Sequence, residues 1–162
     1  DLNPKFIFAW PTGNFRSTEI NAVIGRNQLK RLDANNRQRT ENFRLFLSLI
    51  DPELYWTDYK LEGSVNYAFP LVLHKADDGL RDRLMALMDA NGIEHRRGNA
   101  GGGNQLRQPY LHGIAPAKAD IPRQFPVVDH IHFYGFYIGN YPTLEEARIR
   151  WLCDILNSLR TA

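Results

Sequence analysis

A single cysteine, Cys153, in 162 residues excludes a disulfide framework and makes the cytoplasm the default expectation. No apolar run approaches the ~20 residues that a bilayer-spanning helix needs, so no membrane partner is expected. The N-terminus lacks the basic-then-apolar order of a secretory leader. Charge of one sign is not in excess either: 20 Lys and Arg against 18 Asp and Glu leave a net +2. A dedicated nucleic-acid binder concentrates its basic residues on one face, so no nucleic-acid partner is expected. Gly-x-Ser-x-Gly, His-Glu-x-x-His and phosphate-loop patterns are absent, and there is no internal repeat. What remains is 43% hydrophobic and 23% charged, the profile of one globular domain with enough mass for a core.

Residues 1–16 are turn-rich, punctuated by Pro4 and Pro11. Thr18 is suited to cap a helix with Glu19 in its first turn. Ile20, Val23, Ile24, Leu29 and Leu32 then make an apolar stripe that resumes at Phe43, Phe46, Leu47 and Ile50. The spacing predicts a long or once-broken helix over 18–50, stopped by Pro52. Residues 65–74 predict a strand in which Pro70 favours an edge. Residues 79–91 predict a helix ended by Gly92, and 93–97 a short extended segment. A short helix or turn follows the Pro-containing segment 116–126. "FYGFYIG" (133–139) predicts a strand and 144–159 the last helix. The order fits a two-layer α/β (α+β) arrangement, a few-stranded sheet with helices packed on one face.

Several constellations invite chemistry. His130 and His132 would share one face of a strand, as metal ligands do, but no third ligand stands at a convincing spacing, and ordinary strand-edge histidines are the reading. No metal is expected. Cys153, within "RWLCDIL", reads as a buried, inert thiol because nothing electropositive stands near it. Arg26, Lys30, Arg37 and Arg44 recur at roughly helical spacing and read as a solvated face, with a subunit interface or phosphate contact as the alternative. In "GNAGGGNQLRQPY" (98–110), glycine-freed N–H groups suit an anion. Arg96, Arg97 and Arg107 add charge, and Asn104 and Gln108 add amides. The alternative is a surface loop with no ligand. Gly13, Asn14 and Arg16, a turn just before a helix start, make a second possible phosphate site.

Three segments resemble one family. "TGNFRSTEINAVIGRNQLKRLDANNRQR" is similar to the Gly-Tyr-Asn-x-Arg-x-Thr-Glu-x-x-Ala-x-x-Gly-x-x-Gln-Leu segment of the DegT/DnrJ/EryC1/StrS family. These are enzymes dependent on pyridoxal 5'-phosphate (PLP) that act on nucleotide sugars. "GNQLRQPYL" resembles the Gly-Asn-x-x-Arg-Gln-Pro segment of a branch that includes 3-dehydrases of 4-keto-6-deoxy sugars. "FYIGNYPTLEEARIRWLCDIL" resembles that branch's penultimate strand, turn and last helix.

The resemblance implies the small C-terminal domain of a fold-type I PLP-dependent transferase, preceded by a long helix. It implies an extended segment over 1–16 from the cofactor-domain side, an inter-domain helix over 17–52 and a C-terminal α/β domain over 53–162. Asn14 matches the asparagine that reaches the neighbouring subunit's PLP phosphate, which implies a homodimer; Arg16 matches the motif arginine. Thr12-Gly13 stands where the family has Gly-Tyr. Arg97, Asn104, Arg107 and Gln108 fall on a loop facing the nucleotide-sugar substrate, about one residue longer than the family's and richer in glycine, which would let backbone approach the sugar or its diphosphate.

The cofactor supplies the chemistry, held by a lysine in the aminotransferases and left to a histidine in the dehydrase branch, where the C3 hydroxyl is eliminated. Neither residue is recognised here, and Lys5 reads as a packed stem. "DLNPKFIFAWPTG" reads as the middle of a sequence, so a fragment of a longer polypeptide, inactive and self-associating by itself, is expected. Two other readings stand beside it: a free-standing phosphate- or nucleotide-binding domain using the glycine loop, and an interaction domain that keeps the fold without the activity.

Overall fold

The computed structural model describes residues 17–100, 103–111 and 117–160. Helix α1 (Glu19–Leu29) opens on Thr18, whose hydroxyl accepts from Asn21 N–H at 3.3 Å. This is the cap the sequence predicts. The helical stretch is broken once, around Lys30 and Arg31, and α2 (Leu32–Leu49) follows. Then come β1 (Ala68–Val72), α3 (Asp78–Ala90), β2 (His95–Arg97), α4 (Ile121–Gln124), α5 (Pro126–Tyr134), β3 (Gly135–Gly139) and α6 (Glu146–Asn157). Short 3-10 turns stand at 105–107, 109–111, 118–120 and 158–160.

The chain divides into two units, residues 1–33 and 34–162. In the first, α1 buries none of its side chains. Ile20, Val23 and Ile24 are 73%, 66% and 55% exposed.

The second unit is built on an antiparallel sheet of order β1-β3-β2. Phe69 lies opposite Ile138 and Leu71 opposite Phe136. The period of two sends these four to one face, where they join Phe43 and Phe46 of α2, Leu84 and Met88 of α3, and Ile149, Leu152 and Leu156 of α6 in one core. Phe46 stacks on Phe69 with ring centroids 4.6 Å apart. Each such side chain contributes about 1.5–3 kcal/mol by burial. Pro70, Tyr137 and Arg96 form the rung on the opposite face, and Pro70 stands on an edge strand, where its missing N–H costs no central ladder bond. Gly92, at φ +64, ends α3 in the left-handed conformation a glycine stop requires.

Asn140, after β3, is 1% exposed and fully bonded. Its Nδ2 donates to Arg39 O (3.0 Å) and Asn66 O (2.9 Å), and its Oδ1 accepts from Asn42 Nδ2 (3.1 Å). The side chain thereby ties α2, the entry to β1 and the β3–α6 turn together.

Candidate functional site: the glycine loop on helix α5

Helix α5 seats the site. Pro126 occupies its first turn, where a missing N–H is harmless, and Asp129 adds the negative charge a helix start favours. This corrects the strand reading of His130 and His132. Both lie on α5, and two residues apart on a helix is about 200° around its axis, so they face different ways. His130 Nε2 donates to Leu73 O at 2.6 Å, and its ring stacks on Trp56. His132 turns to the loop. Among the described residues no three His, Cys, Asp or Glu side chains are grouped as a metal site.

The loop begins where β2 ends. Gly98 N–H donates to Gly135 O at 2.6 Å, and Arg97 Nη2 donates to Phe133 O at 3.1 Å, satisfying a carbonyl at the negative end of α5. A Cβ on Gly98 would overlap the carbonyl of Ile131. Gly103 has φ +61, and a Cβ there would overlap the His132 ring. These two glycines therefore serve a close approach of the loop to α5, whereas the sequence reading gave the loop's glycines to an approach to ligand. Gly101 and Gly102 lie outside the described residues.

Asn104, 2% exposed, carries the loop's inner bonds. Its N–H donates to His132 Nδ1 (3.0 Å), its Nδ2 to Asp129 Oδ1 (3.2 Å), and its Oδ1 accepts from Leu106 N–H (3.1 Å), capping the 3-10 turn. Arg107, on that turn, meets Asp129 in a two-point fork, Nε to Oδ1 at 2.5 Å and Nη2 to Oδ2 at 2.8 Å. Its guanidinium lies 4.8 Å from the Phe133 ring centroid. Gln108 N–H closes the turn on Gln105 O at 3.0 Å.

The charges tune one another. Hydrogen bonding to Arg107 holds the Asp129 carboxyl below the usual carboxylate range against the opposing effect of burial, with Arg107's charge and Asn104 adding to it. The same bond holds the Arg107 guanidinium further up. Burial pushes the His132 imidazole down, Arg107 and Arg97 push it further, and Asp129 opposes them.

Of the sequence-predicted residues, Arg97, Asn104 and Arg107 come together around the second half of α5, and Gln108 follows on the same turn. Arg96 points away with the Pro70–Tyr137 rung. Asn14 and Arg16 lie outside the described residues. Arg26, Lys30, Arg37 and Arg44 are all exposed, as read. Cys153 is buried, its thiol pushed up to about 12, chiefly by burial. Sequence reasoning missed Asp129; the signal was Pro126 followed three residues later by an acid, a helix start. A groove of about 660 Å³ beside β2 is lined by Arg96, Tyr137, Arg148 and Trp151 among others, but by none of Arg97, Asn104 or Arg107.

This three-stranded sheet with its helices recurs within fold-type I PLP-dependent sugar aminotransferases, matching about 39% of their chains. Residues 5–157 match the DegT/DnrJ/EryC1/StrS aminotransferase family, and the chain belongs to it. It is 26% identical over 156 residues to GDP-4-keto-6-deoxy-D-mannose 3-dehydratase of Yersinia pseudotuberculosis, covering 94% of this chain and 38% of that protein. The E. coli GDP-4-keto-6-deoxy-D-mannose-3-dehydratase with bound hydrated PLP superposes with a TM-score of 0.63 at 22% identity, over 94% of this chain and 38% of that one. An aminotransferase from Psychrobacter cryohalolentis gives 0.71 at 22% identity, over 99% and 44%. The chain thus spans about two fifths of the length of these relatives.

Proposed function

We propose that this chain is the C-terminal part of a PLP-dependent enzyme acting on a nucleotide-linked keto sugar, either an aminotransferase or a 3-dehydratase of a 4-keto-6-deoxy sugar. The product would feed deoxysugar or surface-polysaccharide synthesis in the cytoplasm. The reading is carried by the family match over residues 5–157, which takes in both the glycine loop and its seat on α5. In it, residues 17–52 form the helical passage between domains and 53–162 the small domain over the active site. The enzyme is a homodimer in which Asn14 reaches the cofactor phosphate of the neighbouring subunit, with Arg16 supporting that turn.

The described residues do not by themselves make a PLP site. Lys30, Lys60, Lys75 and Lys118 are all exposed, whereas a cofactor-holding lysine works desolvated. The cofactor is therefore assigned chiefly to a large domain outside this chain, which also holds the catalytic lysine or histidine. PLP supplies the electron sink; the part of this chain is to hold substrate. Among the described residues Arg107 bonds Asp129 through Nε and Nη2, and we assign its Nη1 edge to a substrate oxygen. Arg97, Arg107 and Asp129 together leave one positive charge, which suits a nucleoside diphosphate. Asn104, bonded three ways, keeps the loop's shape.

The test is to incubate the longest polypeptide encoded around this sequence with PLP, L-glutamate and a nucleotide-linked 4-keto-6-deoxy sugar, and to weigh the sugar product. Replacement of the keto oxygen by an amine identifies an aminotransferase; loss of the C3 oxygen identifies a dehydratase. No change across guanosine-, thymidine- and cytidine-diphosphate sugars would reject the reading.

A further inference from the structure

Two α5 side chains hold the inner part of the loop, at Asn104 and Arg107, and no role has been given to either. Asp129 is 6% exposed and receives three hydrogen bonds, two from Arg107 and one from Asn104. His132 receives the Asn104 backbone N–H on Nδ1. We propose that Asp129 and His132 are positioning residues that set the glycine loop for substrate, through Arg107 and Asn104 respectively, and that the His132 contact makes the hold dependent on pH. The substrate part rests on the function proposed above; the hold itself does not.

A backbone N–H only donates, so the Asn104 contact requires a lone pair on His132 Nδ1 and hence an imidazole without a proton there. Protonation puts two donors face to face and ends the bond. The charged groups around the ring make that protonation costly while the loop is docked. Arg97 comes from β2, Arg107 from the 3-10 turn, and Asp129 from α5 itself; the two arginines and burial outweigh the carboxylate.

The direction of the pH effect follows. His132 binds its proton more weakly docked than released, so docking is fully favoured above the ordinary histidine value of 6.5. It weakens progressively as pH falls below that value toward the depressed one. Asp129 is also depressed when docked, so its contribution is lost only in the acid range below the ordinary 3.8. The histidine window is reached first.

Gly103 supports the same assignment, because the overlap of its would-be Cβ with the His132 ring means the loop backbone rests directly on the imidazole. Arg107 is likewise fixed on two sides, by the fork to Asp129 and by the Phe133 ring. Fixing both donors of the fork selects which edge of the guanidinium faces outward, which is what a positioning residue does.

The test reads the Asn104 amide by hydrogen exchange between pH 5 and 8, corrected for intrinsic rates. Protection is expected to fall roughly tenfold as His132 titrates, the worth of one hydrogen bond. His132→Asn, whose Oδ1 stands near the Nδ1 position without titrating, is expected to keep protection and lose the pH dependence. Wild-type protection that stays flat across the range overturns the proposal. In the full-length enzyme, Asp129→Asn is expected to raise KM for the nucleotide sugar by more than it lowers kcat, with PLP still bound; an unchanged KM overturns the substrate part. A wild-type enzyme that turns over no nucleotide sugar would reject the proposed function, while the exchange measurement would still decide the hold.

Discussion

Asn42 on α2 and Asn140 after β3 share a hydrogen bond of 3.1 Å across 98 residues of chain. Asn140 uses both side-chain N–H groups on backbone carbonyls, Arg39 O and Asn66 O, so an oxygen cannot replace its nitrogen. Asn140→Ala leaves buried groups unpaired and is expected to cost about 2–4 kcal/mol in urea unfolding. Asn140→Asp, which turns a carboxylate on two carbonyls, is expected to cost more. An aspartate variant as stable as the wild type would remove Asn140 from this role.

The glycines separate into two kinds. Gly103→Ala places a side chain at φ +61 and against His132, and a loss of at least about 2 kcal/mol is expected. Gly25, inside α1 with nothing near its would-be Cβ, behaves oppositely. Gly25→Ala is expected to raise stability by about 0.5–1 kcal/mol. Thermal unfolding of the two variants side by side checks both signs.

Cys153, 1% exposed with its thiol pushed up to about 12, is expected to react with a disulfide reagent on the order of a hundredfold more slowly folded than in denaturant. Rapid labelling of the native chain would show that α6 opens readily from the core.

Ile20, Val23 and Ile24 stand exposed on successive turns of α1, and apolar surface of this kind promotes association. The chain by itself is expected to sediment as dimers or larger species at micromolar concentration, and Ile20→Lys with Ile24→Lys to reduce them. A clean monomer of the unaltered chain would count against this.

Much of this architecture is legible in the sequence because its signals are local. Thr18 caps α1, Gly92 ends α3, and Leu152, Leu156 and Leu159 mark the buried face of the last helix, although Ala147 and Trp151 of the same expected stripe are exposed. The short helix expected after 116–126 is α5, but "HIHF" within it alternates polar and apolar residues, a period of two that mimics a strand and misplaces His130 and His132. Pro126 at its start and tertiary contacts from the loop and Trp56 decide for a helix. Arg97, Asn104 and Arg107 were legible as a group, but their bonding partners were not, since Asp129 lies 22 residues from Arg107 and 25 from Asn104. Asn140 was visible only as part of "GNYP", and its bonds reach 74 and 101 residues back.

The most direct test of the central claim is a titration of PLP into the longest polypeptide encoded around this sequence and into the 162-residue chain, followed by borohydride reduction. The account predicts stoichiometric PLP on the longer polypeptide and none on the chain alone. Covalent attachment on reduction would then mark a lysine-held cofactor, and bound but unattached PLP the dehydratase branch. Failure of the longer polypeptide to bind PLP would contradict the account.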